Sequence, residues 1–210
     1  MNKGICGDLS ACKTLAAVFI VYNLWRKYNA RIYSNCWLAF PHERIKSYSQ
    51  FKAMRNGVFL ADEISMYLDS YDSTSKTAAV INRICREAGK NGISIIWTAQ
   101  HSSMVHKRLY NITSSFYLPE KHLARDAEGR QLLMNGRTFP DYCNLYELSR
   151  FGKPISFRRF TCPPIFPLYR TREKIEPMEG LEKYRAKSVL REHKAYEKAK
   201  NLGLDLSGNA

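Results

Sequence analysis

The chain has 210 residues, 45% of them hydrophobic and 12% aromatic, which allows one folded domain with a short appendage and excludes two full domains or a disordered chain. Its 33 Lys and Arg residues against 19 Asp and Glu give a formal net charge of +14, which predicts a polyanionic partner, nucleic acid first and an acidic membrane surface second. No apolar run reaches the roughly 18 residues of a membrane span and no signal peptide is visible, so we expect an intracellular protein.

The first third of the chain alternates between loop, helix and strand patterns. A glycine-bearing loop, Gly4 to Cys12, precedes a helix-like apolar run from Lys13 to about Asn29. The segment from Ala30 to Asn35 has the composition of a strand. After the Asn56-Gly57 turn, Val58 to Ala61 is a short continuous apolar run, which is typical of a buried strand.

The middle of the chain continues this alternation. A helix that Ser73 or Thr74 could cap is predicted to end near Lys90, and Ile93 to Thr98 follows as another buried strand. A basic helix or turn is expected at Val105 to Tyr110, with a short strand after it. Because apolar strands that alternate with helices indicate a parallel sheet covered on both faces, we predict an α/β fold with a largely parallel central sheet flanked by helices.

The last third is less regular. Within residues 130–160, strands are predicted near Leu132 and Ile155. Pro163-Pro164 and Pro167 mark the end of the compact domain. We divide the chain into a core of residues 1–165 and a basic C-terminal extension of residues 166–210, which ends in a helix over residues 179–201. Whether this helix contacts nucleic acid or presents a solvated face stays open, because glutamates are interspersed with its lysines.

A phosphate-binding pattern lies near the start of the chain. The pattern Gly-x4-Gly-Lys-Ser/Thr is matched at Gly7, Lys13 and Thr14, with Cys12 in place of the second glycine. Backbone amides at the start of the helix would face the phosphates of ATP. Lys13 would reach the β- and γ-phosphates, and the Thr14 hydroxyl would hold Mg²⁺. The residues expected to surround the nucleotide here are consecutive: Gly7, Asp8, Leu9, Ser10, Ala11, Cys12, Lys13 and Thr14.

Two features of this region depart from an ordinary P-loop. The side chain of Cys12 would crowd the phosphate or strain the turn, since this position normally needs glycine. In addition, only residues 1–6 precede Gly7, where a buried strand of about five residues is required. Either residues 2–6 form a clipped strand, or the sequence starts downstream of the natural start. Both features are compatible with a weakened or inactive site.

Polar residues follow the two predicted buried strands at residues 58–61 and 93–98. Asp62 follows the first of them and would anchor Mg²⁺ together with Thr14. Glu63 would polarise the attacking water as a general base. Gln100 follows the second strand and would sense the γ-phosphate or position the water. Each piece alone has an ordinary explanation, such as a helix cap, but their order along the chain predicts a P-loop ATPase.

The six cysteines are scattered, without a CxxC pair or a histidine at zinc-ligand spacing. This usage is typical of reduced, mostly buried thiols in an intracellular protein. We therefore expect no metal other than the Mg²⁺ that accompanies the nucleotide.

The ordered set of motifs resembles the FtsK/HerA-like superfamily, especially archaeal viral packaging ATPases and Zot-domain proteins. Their layout is a P-loop, a strand ending in Ser-Asn, a strand ending in Asp-Glu, and a strand ending in Thr-x-Gln. Here these are residues 7–14, Ser34-Asn35, Asp62-Glu63 and Thr98-Ala99-Gln100, and the likeness covers roughly Gly4 to Leu118. The set is specific as an ordered whole, whereas no single motif in it is.

The resemblance implies a RecA-like, additional-strand P-loop core that assembles into a ring, as a hexamer in this family. It also implies ATP hydrolysis coupled to the movement of double-stranded DNA, without sequence preference, in the cytoplasm of a virus-infected host cell, with a capsid or membrane assembly partner. In such rings an arginine of the neighbouring subunit reaches the γ-phosphate. Arg83, Arg86 and Arg108 are candidates, and we select Arg86.

Three functions remain open at this stage. The first is a viral genome-packaging motor. The second is a Zot-like ATPase for the assembly and extrusion of filamentous phage, a class that usually carries a transmembrane helix after the ATPase domain. The third is a non-hydrolysing DNA-binding protein with a relic P-loop. Cys12 and the short first strand favour the third function, whereas the retained polar residues argue against it: Lys13, Thr14, Asp62, Glu63 and Gln100.

Overall fold

The computed structural model describes residues 2–8, 11–64, 84–105, 107–134 and 136–170. An eight-stranded sheet forms its centre, beside a separate two-stranded hairpin. The strands of the sheet are β1 (Asn2–Cys6), β2 (Ile32–Ser34), β3 (Glu43–Arg44), β4 (Gly57–Ala61), β5 (Ile93–Ala99), β6 (Thr113–Leu123), β9 (Pro140–Ser149) and β10 (Pro154–Thr161). The hairpin consists of β7 (Leu133–Met134) and β8 (Arg137–Thr138). The helices are α1 (Lys13–Tyr28), α2 (Tyr48–Ala53), α3 (residues 84–90) and α4 (Lys107–Ile112).

The strand order of the sheet is β10-β9-β6-β1-β5-β4-β2-β3. The strands from β6 to β3 in this order all pair in parallel, and β5 lies between the first strand β1 and the acid-bearing strand β4. A strand inserted at this place is the additional strand of the RecA-like arrangement, so the predicted fold class is confirmed. The carboxyl ends of β1, β4 and β5 meet at one edge of the sheet, where α/β proteins bind their ligands.

The first strand packs closely against its neighbour in the sheet. Residues 2–6 form a five-residue strand with Ile5 fully buried. A Cβ at Gly4 would lie 2.5 Å from the ring of Trp97, so that only glycine fits at this position. Residues 2–6, for which a clipped strand was one of two alternatives, thus form a strand of five residues at the centre of the sheet.

Helix α1 follows the phosphate loop and packs on one face of the sheet. Residues 15–18 are buried all round the helix, and one further residue is buried in the next turn; the buried side chains are Leu15, Ala16, Ala17, Val18 and Val21. The helix ends at Tyr28, and Asn29 adopts a left-handed conformation with φ of 49°, which closes the last turn. This end agrees with the predicted boundary near Asn29. The helix start predicted at Ser73 or Thr74 lies outside the described residues, while the predicted end at Lys90 agrees with α3.

The region beyond Leu118 is more ordered than its sequence pattern predicts. Strand β6 runs on to Leu123, and β9 and β10 add two antiparallel strands to the same edge of the sheet. The strands expected near Leu132 and Ile155 are confirmed by β7 and β10. The short strand expected around residues 115–118 is longer than predicted, and β9 was not predicted. We call β6, β9 and β10 the antiparallel extension.

A buried polar cluster joins the antiparallel extension to β1. The ammonium group of Lys3 donates to the carboxylate of Glu147 and to the hydroxyl of Tyr117. Glu147 also accepts hydrogen bonds of 2.7 Å from Ser115 and from Ser156. Burial alone would raise the pKa of Glu147, but the hydrogen bonds from Lys3 and the two serines lower its pKa to about 2. The charges of Lys3 and Glu147 are thus balanced by each other, and both groups have hydrogen-bond partners within the sheet.

After β10 the described chain returns towards β2. A 3₁₀ turn covers Pro163–Leu168, and Tyr169 forms a bridge with Leu38. The division into a core and an extension at residue 166 stays a prediction, and the predicted helix over residues 179–201 lies outside the described residues.

Candidate nucleotide site

The predicted phosphate loop, the acidic residues and Gln100 lie at the same edge of the sheet. The loop leaves β1 at Gly7, whose backbone N–H donates to the carbonyl of Gln100 over 3.1 Å. Asp62 follows β4, which pairs with β5 just as β5 pairs with β1. The parallel register therefore brings together three segments that are far apart in the sequence.

Asp62 is held by two hydroxyl groups. Its carboxylate oxygens accept from the Thr14 hydroxyl at 3.0 and 3.1 Å, and one of them accepts from the Thr98 hydroxyl at 2.6 Å. Thr14 belongs to the first turn of α1, and Thr98 lies near the end of β5. Thr14 and Asp62, which were predicted to share Mg²⁺, are thus in direct contact.

Asn35 fixes the backbone around Asp62. Its side-chain amide donates to the Asp62 carbonyl over 2.8 Å, and its side-chain oxygen accepts from the Asp62 N–H over 2.8 Å. Thr98 completes the arrangement, because its oxygen also accepts from the N–H of Glu63 over 2.8 Å. Asn35 is 5% exposed and Thr98 is 1% exposed, so these bonds are shielded from water.

Asn35 and Thr98 were not among the predicted site residues. They were named only as parts of the Ser-Asn and Thr-x-Gln strand ends of the family layout. The signal that could have found them is a polar residue at the end of an otherwise apolar strand, since such a side chain is buried and needs a partner.

The pKa shifts in the site have a common cause. Burial raises the pKa of Asp62, and the hydrogen bonds from Thr98 and Thr14 oppose this only in part. Burial also lowers the pKa of Lys13, against the attraction of Asp62 and other nearby acids. A bound cation would lower the pKa of Asp62 and a bound anion would raise the pKa of Lys13. The two shifts are therefore those that a magnesium–nucleotide pair would reverse.

The described part of the phosphate loop is closed by its own hydrogen bonds. The Lys13 ammonium donates to the carbonyl of Asp8 over 2.7 Å, and the N–H of Ala11 donates to the same carbonyl over 3.1 Å. The Lys13 side chain thus lies across the loop in which the phosphates were predicted to bind. Leu9 and Ser10, also predicted to contact the nucleotide, lie outside the described residues.

Cys12 carries the strain that the sequence predicts. It precedes α1 with φ of 60° and ψ of 27°, in the left-handed region that favours glycine. Its carbonyl accepts from the N–H of Ala16 over 2.9 Å, so the residue starts the helix without a side-chain cap. For a residue with a Cβ this conformation costs on the order of 1–2 kcal/mol.

Glu63 and Gln100 occupy exposed positions beside the buried acid. Glu63 also has a left-handed backbone, with φ of 50°, and the next residue, Ile64, is buried. The turn therefore directs Asp62 into the protein and leaves Glu63 at the surface. Gln100 is exposed directly after β5, with its carbonyl bonded to Gly7.

The two arginine candidates that the structure describes, Arg86 and Arg108, lie on helices outside the phosphate loop. Arg86 is exposed on α3, which leads to the amino end of β5, whereas the site lies at the carboxyl ends of the strands. Arg108 is exposed on α4. Arg83 lies outside the described residues. An arginine in the position of Arg86 would act only on a neighbouring molecule.

The oxygen atoms of Thr14 and Asp62 suit Mg²⁺, which prefers hard oxygen ligands and usually retains water and substrate phosphates in its shell. Within the described residues, no group of three or more His, Cys, Asp or Glu side chains could hold a metal ion. The hydroxyl of Thr14 and the carboxylate of Asp62 fit a Mg²⁺ ion that takes its other ligands from water and phosphate. In the same part of the chain, no helix is long and apolar enough to cross a membrane.

The strand order and the arrangement of loop, acid and threonines define a RecA-like P-loop NTPase fold. No protein-family model matches the sequence, and no curated protein matches it. Solved structures are similar in fold. The N-terminal domain of zonular occludens toxin from Neisseria meningitidis is 14% identical with a TM-score of 0.48, over 80% of this chain and 98% of that chain.

Two further structures give comparable values. The genome packaging NTPase B204 from Sulfolobus turreted icosahedral virus 2, in complex with ATP-gammaS, is 8% identical with a TM-score of 0.48, over 76% of this chain and 96% of that chain. A KaiC-like protein from Pyrococcus horikoshii OT3 is 12% identical with a TM-score of 0.44, over 76% and 82% of the two chains. At these identities and TM-scores the likeness concerns the fold alone.

Proposed function

We propose that this protein is an ATP-hydrolysing DNA translocase, and specifically a viral genome-packaging motor. The observation that carries the proposal is the buried carboxylate of Asp62, held by the hydroxyls of Thr14 and Thr98 at the end of a phosphate loop that contains Lys13. This arrangement supports the proposal because it combines two oxygen groups of the kind that Mg²⁺ prefers with a cationic side chain on the same loop.

Each residue then has a defined task. Lys13 would leave the Asp8 carbonyl and bind the β- and γ-phosphates, while Thr14 and Asp62 would hold Mg²⁺. The metal, when bound, neutralises charge that develops on the phosphate oxygens. Glu63 accepts a proton from the attacking water, and Gln100 orients that water. Asn35 and Thr98 keep Asp62 and Glu63 in place.

The remaining parts of the proposal concern assembly and DNA. An arginine of a neighbouring subunit, Arg86 by preference, completes the site in a hexameric ring. The net charge of +14 supports contact with DNA phosphates that does not depend on sequence. A capsid or membrane assembly partner in the host cytoplasm belongs to the same proposal. Extrusion of filamentous phage would use the same site chemistry.

A second candidate is a non-hydrolysing DNA-binding protein with a relic P-loop. The left-handed conformation of Cys12 favours it, because a Cβ stands where a glycine backbone would approach the phosphates. The first candidate requires that the loop accommodate this side chain. The two candidates differ in one measurable property, which is phosphate release.

The test is steady-state phosphate release from ATP and Mg²⁺, with and without double-stranded DNA. Wild type is compared with Lys13→Ala and Glu63→Gln. Matched controls are Lys27→Ala, at the exposed end of α1, and Glu128→Gln, on an exposed loop. We expect hydrolysis that DNA stimulates, that both site variants abolish and that both controls retain.

Wild type that binds DNA but releases no more phosphate than the two site variants would contradict the proposal and support the relic P-loop. Hydrolysis without any response to DNA would retain the ATPase and contradict the translocase. The two parts of the proposal can therefore fail separately.

A further inference from the structure

The antiparallel extension has one face that is turned away from α1. The rings of Phe19 on α1 and Phe160 on β10 stack with centroids 4.1 Å apart, which places α1 on the face that carries Phe160. Because side chains alternate along a strand, Phe157 points to the opposite face. Leu118 pairs with Tyr146, and Tyr146 pairs with Phe157. These three side chains therefore form one row across β6, β9 and β10, on what we call the outer face.

The row on the outer face is large, apolar and exposed. Leu118 and Tyr146 are each 40% exposed, and Phe157 is 53% exposed. The rings of Tyr146 and Phe157 have centroids 5.2 Å apart, so they present a continuous surface. Aromatic and aliphatic side chains that remain exposed side by side on a rigid sheet are typical of an interaction surface.

The polar groups next to this row are already paired with one another. The Glu120 carboxylate accepts from the Tyr146 hydroxyl over 2.9 Å and from the Asn144 amide over 3.1 Å. The Arg159 guanidinium donates to the Asn144 side-chain oxygen over 2.9 Å and lies over the ring of Tyr142. These hydrogen bonds lie within the chain, so they can remain in place when a partner covers the row.

The charge of the outer face distinguishes between partners. Next to the row, Glu120 and Arg159 contribute one negative and one positive charge. This part of the outer face is therefore close to neutral, whereas the chain as a whole carries +14. A polyanion such as nucleic acid or an acidic membrane favours surfaces with excess positive charge, and Glu120 repels phosphate here. Two molecules that each carry +14 repel one another least where their surfaces are neutral and apolar.

We propose that the outer face of the antiparallel extension binds a second copy of this chain. The proposal names the surface through which the assembly in the proposed function forms. Its argument uses no residue of the nucleotide site, so it stands or falls independently of ATP hydrolysis.

The test is sedimentation velocity of the full chain over a range of concentrations, after nuclease treatment, at low and at high salt. Wild type is compared with Phe157→Glu and Leu118→Glu on the outer face. Phe151→Glu is the matched control, because Phe151 is 78% exposed at the turn between β9 and β10 and lies outside the row. The thermal midpoint of each variant shows whether it is folded, and Phe157→Ser replaces Phe157→Glu if the latter does not fold.

We expect the average mass of wild type to rise with concentration, and more steeply at high salt, because salt screens the repulsion between the copies. Both outer-face variants should weaken this association by about tenfold or more, and Phe151→Glu should behave as wild type. Wild type that stays at 24.3 kDa under all conditions would overturn the proposal. So would folded outer-face variants that associate as well as wild type.

Nucleic acid is the rival occupant, and a second measurement identifies it. Fluorescence anisotropy with an oligothymidine of roughly 16 nucleotides reports single-strand binding. If wild type is monomeric and the outer-face variants lose affinity for this probe while Phe151→Glu retains it, the surface binds nucleotides and the proposal is wrong. Equal affinity in all variants, with association lost only in the outer-face variants, supports the second copy.

Discussion

Two buried carboxylates of the same sheet have opposite electrostatic surroundings. Asp62, in the parallel half, has a pKa raised by burial, and among the described residues its carboxylate accepts hydrogen bonds from two hydroxyl groups. Glu147, in the antiparallel extension, would also have its pKa raised by burial, but the Lys3 ammonium and two serines lower it to about 2.

The difference shows how a carboxylate of the scaffold can be told from one of a site. Glu147 receives its cation from Lys3 of the same chain, so the charge of this pair is balanced within the fold. Asp62 is equally buried, but its hydrogen bonds come from neutral hydroxyls, and the nearby Lys13 donates to the Asp8 carbonyl and not to Asp62. We propose that the charge of Asp62 is balanced by Mg²⁺ that binds with ATP.

The largest effect is expected from removing the charge of Asp62. Asp62→Asn keeps the shape of the side chain but removes a metal ligand, and phosphate release should fall by at least about 100-fold. The free energy of unfolding should stay the same or rise, because a buried charge without a cation is costly. Phosphate release and urea unfolding measure the two quantities, with the exposed Asp141→Asn as the control.

The reverse pattern is expected for the Lys3–Glu147 pair. Lys3→Met leaves Glu147 as a buried charge without a cation, which should lower the free energy of unfolding by about 3 kcal/mol. Hydrolysis per folded molecule should not change. The double variant Lys3→Met with Glu147→Gln should recover part of the lost stability. A full loss of hydrolysis in folded Lys3→Met would contradict the separation between scaffold and site.

The pH dependence of the free energy of unfolding should reveal the contribution of Glu147. Because the pKa of Glu147 in the folded protein is depressed to about 2, its contribution is present above the pKa of an unfolded glutamate, about 4.3, and is lost as the pH falls towards 2. Urea unfolding in this window should show a steep loss of stability in wild type and a shallower one in Glu147→Gln. Equal slopes would show that Glu147 is not the titrating group.

The smallest effect is expected at Cys12. Cys12→Gly removes the Cβ from a left-handed position and should raise the free energy of unfolding by at most about 1 kcal/mol, since the flexibility of glycine in the unfolded chain offsets part of the gain. Cys12→Ala is the control, because it keeps the Cβ and should give no such gain. Thermal unfolding measures stability, and phosphate release should rise in Cys12→Gly alone if the side chain crowds the site.

The parallel half of the fold could be predicted because its signals are local. The apolar runs at residues 58–61 and 93–98 correspond to β4 and β5, and the predicted helix from Lys13 corresponds to α1. Each buried strand is covered on both faces and therefore reads as a continuous apolar segment. Strain at Cys12 was predicted because this position of the P-loop pattern normally holds glycine. Its left-handed backbone, with φ of 60°, confirms the strain.

The antiparallel extension was predicted only in part: strands were expected around residues 115–118 and near Ile155, but not the full length of β6 or strand β9. Its strands have one exposed face, and aromatic side chains such as Tyr146 and Phe157 interrupt the alternation of polar and apolar residues. The ion pair between Lys3 and Glu147 joins positions 144 residues apart, which no local pattern reveals. Asn35 was noticed as part of a motif, but its contact with Asp62 depends on the pairing of β2 with β4.

The most direct test of the account is the magnesium dependence of ATP binding, measured by titration calorimetry for wild type and Asp62→Asn. If Asp62 is placed to bind a cation, wild type should bind ATP more tightly with Mg²⁺ than without it, and Asp62→Asn should lose this difference while remaining folded. Equal affinities with and without Mg²⁺ in wild type, or an unchanged magnesium effect in Asp62→Asn, would contradict the claim that this buried acid is a metal ligand.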